Sequence, residues 1–391
     1  MVVLPAADST AIPKSIMTKP EIVILGAGLM GRVAAYFFMN HPDGPFRVRL
    51  AEKDKAVLQE ATDWLRSDQI EPIAADASSE LELGGTLVGS KVCVSCLPYF
   101  LNPRVARAAM RAGVSMVDLG GNPQVTDMIL GMDQEAQRKG IAFIPDTGLA
   151  PGLVSILAWD LVHRFQHCAE VHLRVGGLPQ KPEGPLQYAQ VFSIHGLLNE
   201  YLEDAREIRN GKAVSVPSPS DLESLEFSGW GTLEAFVTSG GTSTLPRTLL
   251  GKVQRLDYKT IRYPGHFAAL KLLIDMGLAS QKKYRVNSVE ISPREVLTRI
   301  LEETLPKNVP DLILLRVTAK GDGGREEKFE LAVKQDEQRG ISAMGQMTAF
   351  PAAAIALAIL VGNVPPGAHP QETVISSAWM KEQLGKMGIE V

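Results

Sequence analysis

The sequence predicts an α/β protein with two domains, the first built on a parallel sheet and the second on a mostly antiparallel one. Three observations lead to this prediction. An apolar strand near Glu21 runs through a glycine-rich turn into a helix. Strand and helix patterns then alternate to about residue 150, as in a parallel sheet covered by helices. Beyond that point strand patterns dominate, which favours an α+β domain.

The glycine-rich turn follows the apolar strand at residues 22–25 and reads Gly26-Ala27-Gly28-Leu29-Met30-Gly31. A helix pattern covers residues 30–38, and a second strand pattern covers residues 47–51. Glu52 ends that strand, 21 residues after Gly31. Strand, G-x-G-x-x-G turn, helix, second strand and acid together form the dinucleotide-binding fingerprint of a Rossmann-type domain.

Each residue of the fingerprint has a physical role. Gly26 permits the tight turn, Gly28 leaves room for the pyrophosphate, and the helix N-terminus offers free N–H groups to it. Glu52 can accept hydrogen bonds from both ribose hydroxyls, and its charge repels a 2′-phosphate, so NAD is expected rather than NADP. The expected cofactor contacts are Gly26, Gly28, Leu29, Met30, Gly31, Glu52, Asp76, Cys96, Leu97 and Pro98.

The first domain continues with strands and helices in alternation. Further strands are predicted at residues 70–76, 91–97, 114–119 and 141–146, and helices at residues 55–69, 79–88 and 102–112. Helices are predicted to start at Asn102-Pro103 and at Asn122-Pro123, because asparagine caps helices and proline suits the first helical position. Ligands of such sheets bind at the carboxyl ends of the strands, where the loops at Pro98 and Asp118 lie.

The second domain and the tail are predicted from a change in pattern. Strands are expected at residues 170–175, 235–238, 253–262, 312–319 and 328–334, and helices at 153–165, 197–209, 267–276 and 293–303. Two tail helices, at 348–360 and 378–386, are expected to return to the first domain. The predicted division is therefore 1–20 as an extension, 21–150 with 346–391 as the dinucleotide-binding domain, and 151–345 as the substrate-binding and oligomerisation domain.

Composition narrows the class of protein. The 391 residues carry a net charge of −4 without a basic stripe, so no nucleic-acid partner is expected. The longest apolar run, residues 352–361, is too short for a membrane span, and no membrane partner is expected. Residues 1–20 lack the apolar run of a secretion signal, so we expect a cytoplasmic protein.

The cysteines do not suggest a metal site. Cys93 and Cys96 form a C-x-x-C pair inside an apparent strand, where residues three apart face opposite sides. Buried structural thiols are the better interpretation. The histidines show no ligand spacing either, and we expect no catalytic metal.

Four further segments carry a family resemblance. They are VDLGGN (117–122), PDTGLAPG (145–152), EAFVTSGGTSTL (234–245) and YKTIRYPGH (258–266). Together with the Rossmann start they resemble the saccharopine dehydrogenase-like superfamily, and the T-S-G-G-T-S-T-L run resembles its L-lysine 6-dehydrogenase branch. The resemblance implies NAD-dependent oxidative deamination of the L-lysine side-chain amine. The product would be an aldehyde that cyclises to 1-piperideine-6-carboxylate, with NADH and ammonia, and the protein would be a homo-oligomer.

Such a reaction needs a cation for the substrate carboxylate and a base for the substrate ammonium, whose reference pKa is about 10.4. Arg262, beside the Pro264-Gly265 turn, is the carboxylate candidate, and a structural ion pair is the alternative. The hydroxyls around Gly240-Gly241 are candidates for orienting the substrate, and ordinary loop composition is the alternative. These hydroxyl residues are Thr238, Ser239, Thr242, Ser243 and Thr244.

Three residues are candidates for the catalytic groups. Asp118 ends a strand at the ligand edge and would serve as base if burial raised its pKa. His266 has a suitable unperturbed pKa for shuttling a proton, and a hydrogen-bonded structural role is the alternative. Tyr99 would stack near the nicotinamide or donate its hydroxyl, and core packing is the alternative. Asp146 is a further acid, for which a capping role is favoured.

Two other functions remain open at this point. One is a reductase that joins an amine to a carbonyl, as in saccharopine or carboxynorspermidine formation. It needs extra cations, for which Arg174, Arg206 and Arg247 are available. The other is a non-catalytic dinucleotide sensor, against which the polar motifs between Thr238 and His266 count.

Overall fold

Two β-sheets organise the chain, one in each domain. The computed structural model describes residues 21–391, and the predicted extension over residues 1–20 lies outside the described residues. A sheet of seven parallel strands forms the first domain, and an eight-stranded mixed sheet forms the second. The predicted fold class is confirmed.

The first sheet gathers the strands of the dinucleotide-binding domain. Its strands are β1 Ile22–Leu25, β2 Val48–Glu52, β3 Ile70–Ala74, β4 Val92–Ser95, β5 Ser115–Asp118, β6 Ala142–Ile144 and β17 Gly367–Ala368. They lie in the order β17-β6-β5-β4-β1-β2-β3. All residues of β1, β4 and β5 are buried, as expected for strands covered by helices on both faces. Pro72 lies in β3, where an edge strand tolerates the missing N–H.

Helices cover both faces of the first sheet. They are α1 Leu29–Asn40, α2 Lys55–Leu65, α3 Glu80–Leu87, α4 Asn102–Ala112, α5 Pro123–Leu130 and α6 Asp133–Lys139. Asn122 caps α5 as predicted, since its side chain accepts from the backbone N–H groups of Gln124 and Val125. Asn102 instead lies inside α4, where its Oδ1 accepts from the Ser95 hydroxyl at 2.8 Å.

The second sheet contains β7 Cys168–Pro179, β8 Ala205–Arg209, β9 Lys212–Val216, β10 Ser220–Phe227, β11 Gly231–Val237, β12 Arg255–Arg262, β15 Asp311–Gly321 and β16 Glu326–Lys334. Its main order is β10-β11-β12-β7-β15-β16, and β8 pairs with both β12 and β9. Only β12 and β7 run parallel, so the predicted mostly antiparallel character is confirmed. A separate hairpin joins β13 Tyr284–Val286 to β14 Val289–Ile291.

The helix predicted over residues 197–209 is wrong in its second half. Helix α8 covers Ile194–Leu202, and the following residues form β8. The reason is the turn at Asn210-Gly211, where both residues have positive φ (51° and 72°). Such a turn favours a two-residue hairpin, which pairs β8 with β9.

The remaining helices of the second domain are α7 Leu153–Val162, α9 Leu245–Thr248, α10 His266–Asp275 and α11 Pro293–Thr304. Helix α11 begins with a capping box, in which the side chains of Ser292 and Glu295 each bond the other residue's backbone N–H. Helix α10 begins directly after the Pro264-Gly265 turn, so the predicted turn sets the end of β12 and the start of this helix.

The tail packs against the first domain. It contains α12 Ala343–Leu360, β17, α13 Gln371–Val374 and α14 Ser377–Lys386. The rings of Phe37 in α1 and Phe350 in α12 lie 5.7 Å apart, and β17 pairs with β6. Among residues 21–391, α12 is the one helix long and apolar enough to cross a membrane, and 78% of its residues are buried inside the protein.

Candidate active site

The glycine turn forms an open cradle at the end of β1. Gly26 has φ +92°, and a Cβ on it would lie 3.0 Å from the carbonyl oxygen of Cys96. A Cβ on Gly31 would lie 1.7 Å from the Gly26 carbonyl oxygen, so this helix position also excludes a side chain. A Cβ on Gly28 would meet no atom within 4 Å. The space above Gly28 is therefore free for a phosphate group.

The Glu52 side chain connects the cradle to the second strand. Its Oε2 accepts from the backbone N–H of Ala27 and its Oε1 from that of Asp54, both at 3.1 Å. Each carboxylate oxygen can accept a further hydrogen bond, so two ribose hydroxyls can be bound. Helix α1 has neither a side-chain cap nor an acidic residue in its first turn, which leaves its N-terminal N–H groups for phosphate oxygens. These residues fit a nicotinamide dinucleotide.

The other expected cofactor residues follow the ends of β1, β3 and β4. Leu29 is partly exposed at the start of α1, and Met30 lines the cavity described below. Cys96, Leu97 and Pro98 follow β4, and the Cys96 N–H donates to the Leu25 carbonyl at 2.8 Å.

Asp76 stands in a turn that it stabilises itself. Its Oδ1 accepts from the backbone N–H of Ser78 at 2.8 Å, and this bond lowers the pKa of Asp76. The turn accounts for the residue without a ligand.

A cavity of about 160 Å³ lies between the two domains, at the carboxyl edge of the first sheet. Both domains and the tail contribute to its wall. The lining residues are Met30, Leu119, Gly148, Leu149, Ala150, Pro151, Val175, Gly177, Phe192, Glu200, Tyr258, Thr260, Arg262, Met344 and Thr348. A groove of about 500 Å³ on the outer face of the second sheet is larger, but it is lined by ion-paired side chains far from the cradle.

Strand β12 supplies three of the lining residues. Tyr258, Thr260 and Arg262 alternate along the strand and therefore share one face. Asp257 and Lys259 point the other way, where they pair with Arg174 and Glu223. The strand thus places its one cavity-facing cation at its carboxyl end.

Arg262 is buried and firmly oriented. Its Nε donates to the Tyr201 hydroxyl and its Nη1 to the carbonyl of Ile261, both at 2.9 Å. Its guanidinium carbon lies 4.9 Å from the centre of the Tyr188 ring, within cation–π range. A guanidinium has five N–H donors, so donors remain for a substrate carboxylate at the cavity wall.

His266 lies behind Arg262 and not on the cavity wall. Its Nδ1 must donate to the Leu186 carbonyl at 2.8 Å, which leaves Nε2 to accept from the Tyr201 hydroxyl at 3.1 Å. Burial, assisted by the charge of Arg262, lowers the pKa of His266 to about 3. The predicted proton shuttle is corrected here, because a neutral imidazole with both nitrogens engaged positions Tyr201 and, through it, Arg262.

Glu200 is the acid on the cavity wall, and the sequence analysis did not identify it. Within residues 21–391 its carboxylate has no hydrogen bond or ion pair, while its backbone carbonyl accepts from the Ser239 N–H at 2.9 Å. Burial raises the pKa of Glu200 to about 7, and the charge of Arg262 opposes this rise. The available signal was an acid at the end of an apolar helix, α8.

The hydroxyl-rich run does not line the cavity itself. The Thr238 hydroxyl bonds that of Thr260 at 2.6 Å, and the Ser239 and Thr242 hydroxyls donate to the backbone carbonyls of Asn199 and Arg206. These bonds hold the cavity wall in position. The sequence had predicted that these hydroxyls contact the substrate directly.

The adjoining glycine pair makes room for an aromatic ring. A Cβ on Gly241 would come within 2.4 Å of the Tyr258 ring, and Gly240 has φ +88°. The pair therefore lets the chain turn closely past Tyr258.

The end of the same run docks the second domain onto the first. The Ser243 hydroxyl donates to Asp146 Oδ2 at 2.5 Å, and the Thr244 hydroxyl donates to the Glu372 carboxylate at 2.7 Å. All four side chains are buried. Ser243 and Thr244 thus hold the domains together, and the structure does not bring them to the cavity.

Asp118 lies one residue before the cavity wall. Its Oδ1 accepts from the backbone N–H of Gly120 at 2.8 Å and of Asp146 at 3.3 Å. Burial, followed by the charge of Asp146, raises the pKa of Asp118 to about 7. Burial likewise raises the pKa of Asp146 to about 6 against the opposing hydroxyls of Ser243 and Thr126. Asp118 has a suitable pKa for a base but does not reach the cavity.

Tyr99 begins a short 3₁₀ turn, Tyr99–Leu101, after Pro98. A Cβ on Gly121 would lie 3.2 Å from the Tyr99 Cβ, and the Phe100 ring stands edge-on at 6.0 Å. Tyr99 is not among the cavity-lining residues. Among residues 21–391, no group of three or more His, Cys, Asp or Glu side chains is arranged to hold a metal ion.

The three spare arginines of the reductase hypothesis also lie away from the cavity. Arg174 pairs with Glu223 and Asp257 on the outer face of the second sheet. Arg206 and Arg247 lie 3.2 Å and 3.9 Å from the Asp127 carboxylate.

Two family models match the chain. The saccharopine dehydrogenase NADP binding domain matches residues 22–144, and the saccharopine dehydrogenase C-terminal domain matches residues 148–389. The boundary between them falls next to the loop that leads from β6 into α7.

Curated relatives share about a quarter of the aligned residues. The mitochondrial alpha-aminoadipic semialdehyde synthase of Bos taurus is 24% identical over 291 residues, which cover 71% of this chain and 30% of that protein. The saccharopine dehydrogenase (NADP+, L-glutamate-forming) of Saccharomyces cerevisiae is 26% identical over 269 residues, which cover 65% of this chain and 59% of that protein. The chain thus spans less than two thirds of the length of either relative.

Solved structures share the fold. The apo saccharopine dehydrogenase (L-Glu forming) from Saccharomyces cerevisiae superposes with a TM-score of 0.74 at 19% identity, over 95% of this chain and 98% of that one. The homospermidine synthase from Legionella pneumophila, in complex with NAD, superposes with a TM-score of 0.67 at 15% identity, over 94% and 89%. At these identities the likeness concerns the fold alone.

Proposed function

The chain belongs to the saccharopine dehydrogenase family, and from this premise we propose that it is an NAD-dependent enzyme that oxidises the side-chain amine of L-lysine. The substrate ammonium, NAD⁺ and water give an aldehyde, an ammonium ion, NADH and a proton. The aldehyde then condenses with the remaining amine of the same molecule and forms 1-piperideine-6-carboxylate.

The composition of the interdomain cavity is the observation that carries this proposal. Its wall has one cation, Arg262, and one acid, Glu200, among otherwise apolar, hydroxyl and backbone groups. This set complements a substrate with one carboxylate and one amine held apart by an apolar chain. Arg262 is oriented before the substrate arrives, which reduces the cost of binding a carboxylate.

The preference for NAD rests on Glu52. Its carboxylate already bonds the glycine turn and stands at the end of β2, where the adenosine ribose of a bound dinucleotide lies. A 2′-phosphate at that position would meet a negative charge. When bound, the nicotinamide supplies the hydride acceptor.

The alternative is a saccharopine-type reaction, because a relative of this chain is named as a saccharopine dehydrogenase. A substrate of that kind has further carboxylates and needs further cations at the cavity. Arg174, Arg206 and Arg247 are each near an acid elsewhere. The lysine reaction is therefore the better match to the cavity.

The test is NADH formation by the purified protein with NAD and L-lysine, followed by absorbance and by an ammonia assay. Parallel reactions contain NADP in place of NAD, or saccharopine in place of lysine. Lysine-dependent NADH with equimolar ammonia is the expected result. Turnover of saccharopine with no turnover of lysine would overturn the proposal in favour of the alternative.

A further inference from the structure

Proton removal is a separate requirement of amine oxidation, because an ammonium nitrogen has no lone pair with which to expel hydride from the neighbouring carbon. We propose that the Glu200 carboxylate accepts this proton from the substrate ammonium. This inference rests on the proposed function, since it assigns a base to the same cavity. The base sits on α8 of the second domain.

Position on the cavity wall distinguishes Glu200 from the other candidate acids and bases. The titratable side chains on the cavity wall are those of Glu200, Tyr258 and Arg262. Arg262 is permanently charged, and burial raises the pKa of Tyr258 further above its ordinary value. Asp118 and His266 do not line the cavity. The His266 Nδ1 donates to the Leu186 carbonyl, and the Asp118 Oδ1 accepts from the Gly120 N–H, while the Asp118 Oδ2 is buried without a hydrogen-bond partner among the described residues.

The environment of Glu200 suits a proton acceptor better than a fixed counter-ion. A carboxylate that only anchors an ammonium is normally held charged by several donors. Within residues 21–391 the Glu200 carboxylate has no such donor, and its pKa lies near neutrality. The Ser239 N–H holds the backbone of Glu200 and so fixes where the side chain begins.

The groups around Glu200 do not titrate in its range. They are Arg262 and Tyr258 on β12, Tyr188 before α8, and Tyr201 on α8 itself. Burial raises the pKa of all three tyrosines, that of Tyr201 to about 12. Among the side chains on the cavity wall, Glu200 is therefore the one whose pKa lies near 7, while Asp118 and Asp146, whose pKa values are also raised, lie off the wall.

The step is balanced as follows. One N–H bond of the substrate ammonium breaks, its proton forms a carboxylic acid at Glu200, and the nitrogen keeps the electron pair. That pair forms the C=N bond as hydride leaves the adjacent carbon for the oxidised cofactor. Water then adds to the iminium carbon, its oxygen becomes the aldehyde oxygen as the C–N bond breaks, and its two protons leave on the nitrogen as an ammonium ion. Glu200 returns its proton to solvent.

The experiment compares Glu200→Gln and Glu200→Asp with the wild type in steady-state assays from pH 6 to pH 10. The matched control is Glu203→Gln, the same change at the residue that caps the C-terminus of α8 and does not line the cavity. General-base assistance is worth about 10²- to 10⁴-fold, so kcat of Glu200→Gln should fall by at least about 100-fold at pH 7. The difference in kcat between Glu200→Gln and the wild type should become smaller as pH rises, because solvent then deprotonates the amine. The KM for NAD should stay constant. Glu200→Asp should keep part of the activity.

A second readout is independent of turnover. In protein labelled with ¹³C at the glutamate carboxyl carbons, the resonance missing from Glu200→Gln should titrate near pH 7. Titration of this resonance below pH 5 would overturn the assignment of Glu200 as the base. An unchanged pH profile of Glu200→Gln, or a change in its lysine KM alone, would overturn it as well. Wild-type protein that oxidises neither lysine nor any related amine would overturn the proposed function together with the base. An active wild type with an unaffected Glu200→Gln variant overturns the base only.

Discussion

Replacing Arg262 by lysine tests the substrate-binding geometry most directly. Lysine keeps the positive charge but has a single nitrogen, so it cannot hold Tyr201 and also grip a carboxylate with two donors. The variant retains the cation in the buried site and therefore disturbs folding less than alanine would. Its effect should fall on substrate recognition.

The expected magnitude follows from the lost contact. One hydrogen bond between charged partners contributes about 1.5–3 kcal/mol. At 1.4 kcal/mol per factor of ten, kcat/KM for lysine should fall by about 10- to 150-fold in Arg262→Lys. The bound carboxylate is remote from the reacting carbon, so it is held equally in the ground and transition states. Most of the loss should therefore appear as a higher KM.

The assay is the initial rate of NADH formation over a range of lysine concentrations at saturating NAD. Arg255→Lys is the matched control, since Arg255 lies on the same strand but is half-exposed on the outer face, where it pairs with Asp257. The control should keep the wild-type KM. A normal KM in Arg262→Lys with only a lower melting temperature would refute the reasoning and make Arg262 structural.

Three further predictions concern the cofactor, the packing and the pH dependence. Glu52→Ala should raise the KM for NAD by about 10- to 100-fold and shift the preference towards NADP. The variant loses both the acceptor for the ribose hydroxyls and the charge that repels a 2′-phosphate. Steady-state kinetics with both cofactors measure the change. Gly241→Ala should destabilise the protein by about 1–3 kcal/mol, because the new methyl group overlaps the Tyr258 ring; urea unfolding measures the loss. Asp118 has a raised pKa in the folded protein, so its protonation stabilises the fold below about pH 4 and this stability is lost as pH rises through about 7. Asp118→Asn should accordingly flatten the fall in urea midpoint between pH 4 and pH 7.

The controls separate these effects from general damage. Gly84→Ala, in α3 with open space around the new methyl group, should leave stability unchanged or improve it. A similar loss of stability in both glycine variants would contradict the packing argument. Equal pH slopes for Asp118→Asn and the wild type would contradict the linkage argument. Unchanged cofactor kinetics in Glu52→Ala would remove Glu52 from the cofactor site.

Local chemistry allowed much of the fold to be predicted. The glycine turn, the acid at the end of β2 and the Asn122 cap act over a few residues, so their patterns are visible in sequence. The helix at residues 197–209 failed because a left-handed turn at Asn210-Gly211 pairs β8 with β9, and strand pairing outweighed helical periodicity. Helix α12 starts five residues earlier than the expected residue 348 because Ser342 caps it.

The candidate site was predicted only in part, because side-chain direction depends on contacts distant in sequence. Arg262 was identified from its turn, and its free donors face the cavity between the domains. His266 was a candidate catalytic group because of its ordinary pKa, yet burial behind Tyr201 keeps it neutral. Ser243 belonged to a hydroxyl-rich run, but its partner Asp146 is 97 residues away in sequence. No local pattern records such a pairing.

The amino-acid sequence alone predicts a dinucleotide-binding first domain, a second domain with a mostly antiparallel sheet, and the motifs of the family. Each of these follows from periodicity, turn chemistry or short motifs. Which polar groups share the interdomain cavity depends instead on how distant segments pack together. Glu200 and Arg262 meet there because Tyr201, the neighbour of Glu200 on α8, accepts a hydrogen bond from Arg262 at the end of β12. Burial raises the pKa of Glu200, and the bond to Tyr201 orients the guanidinium of Arg262.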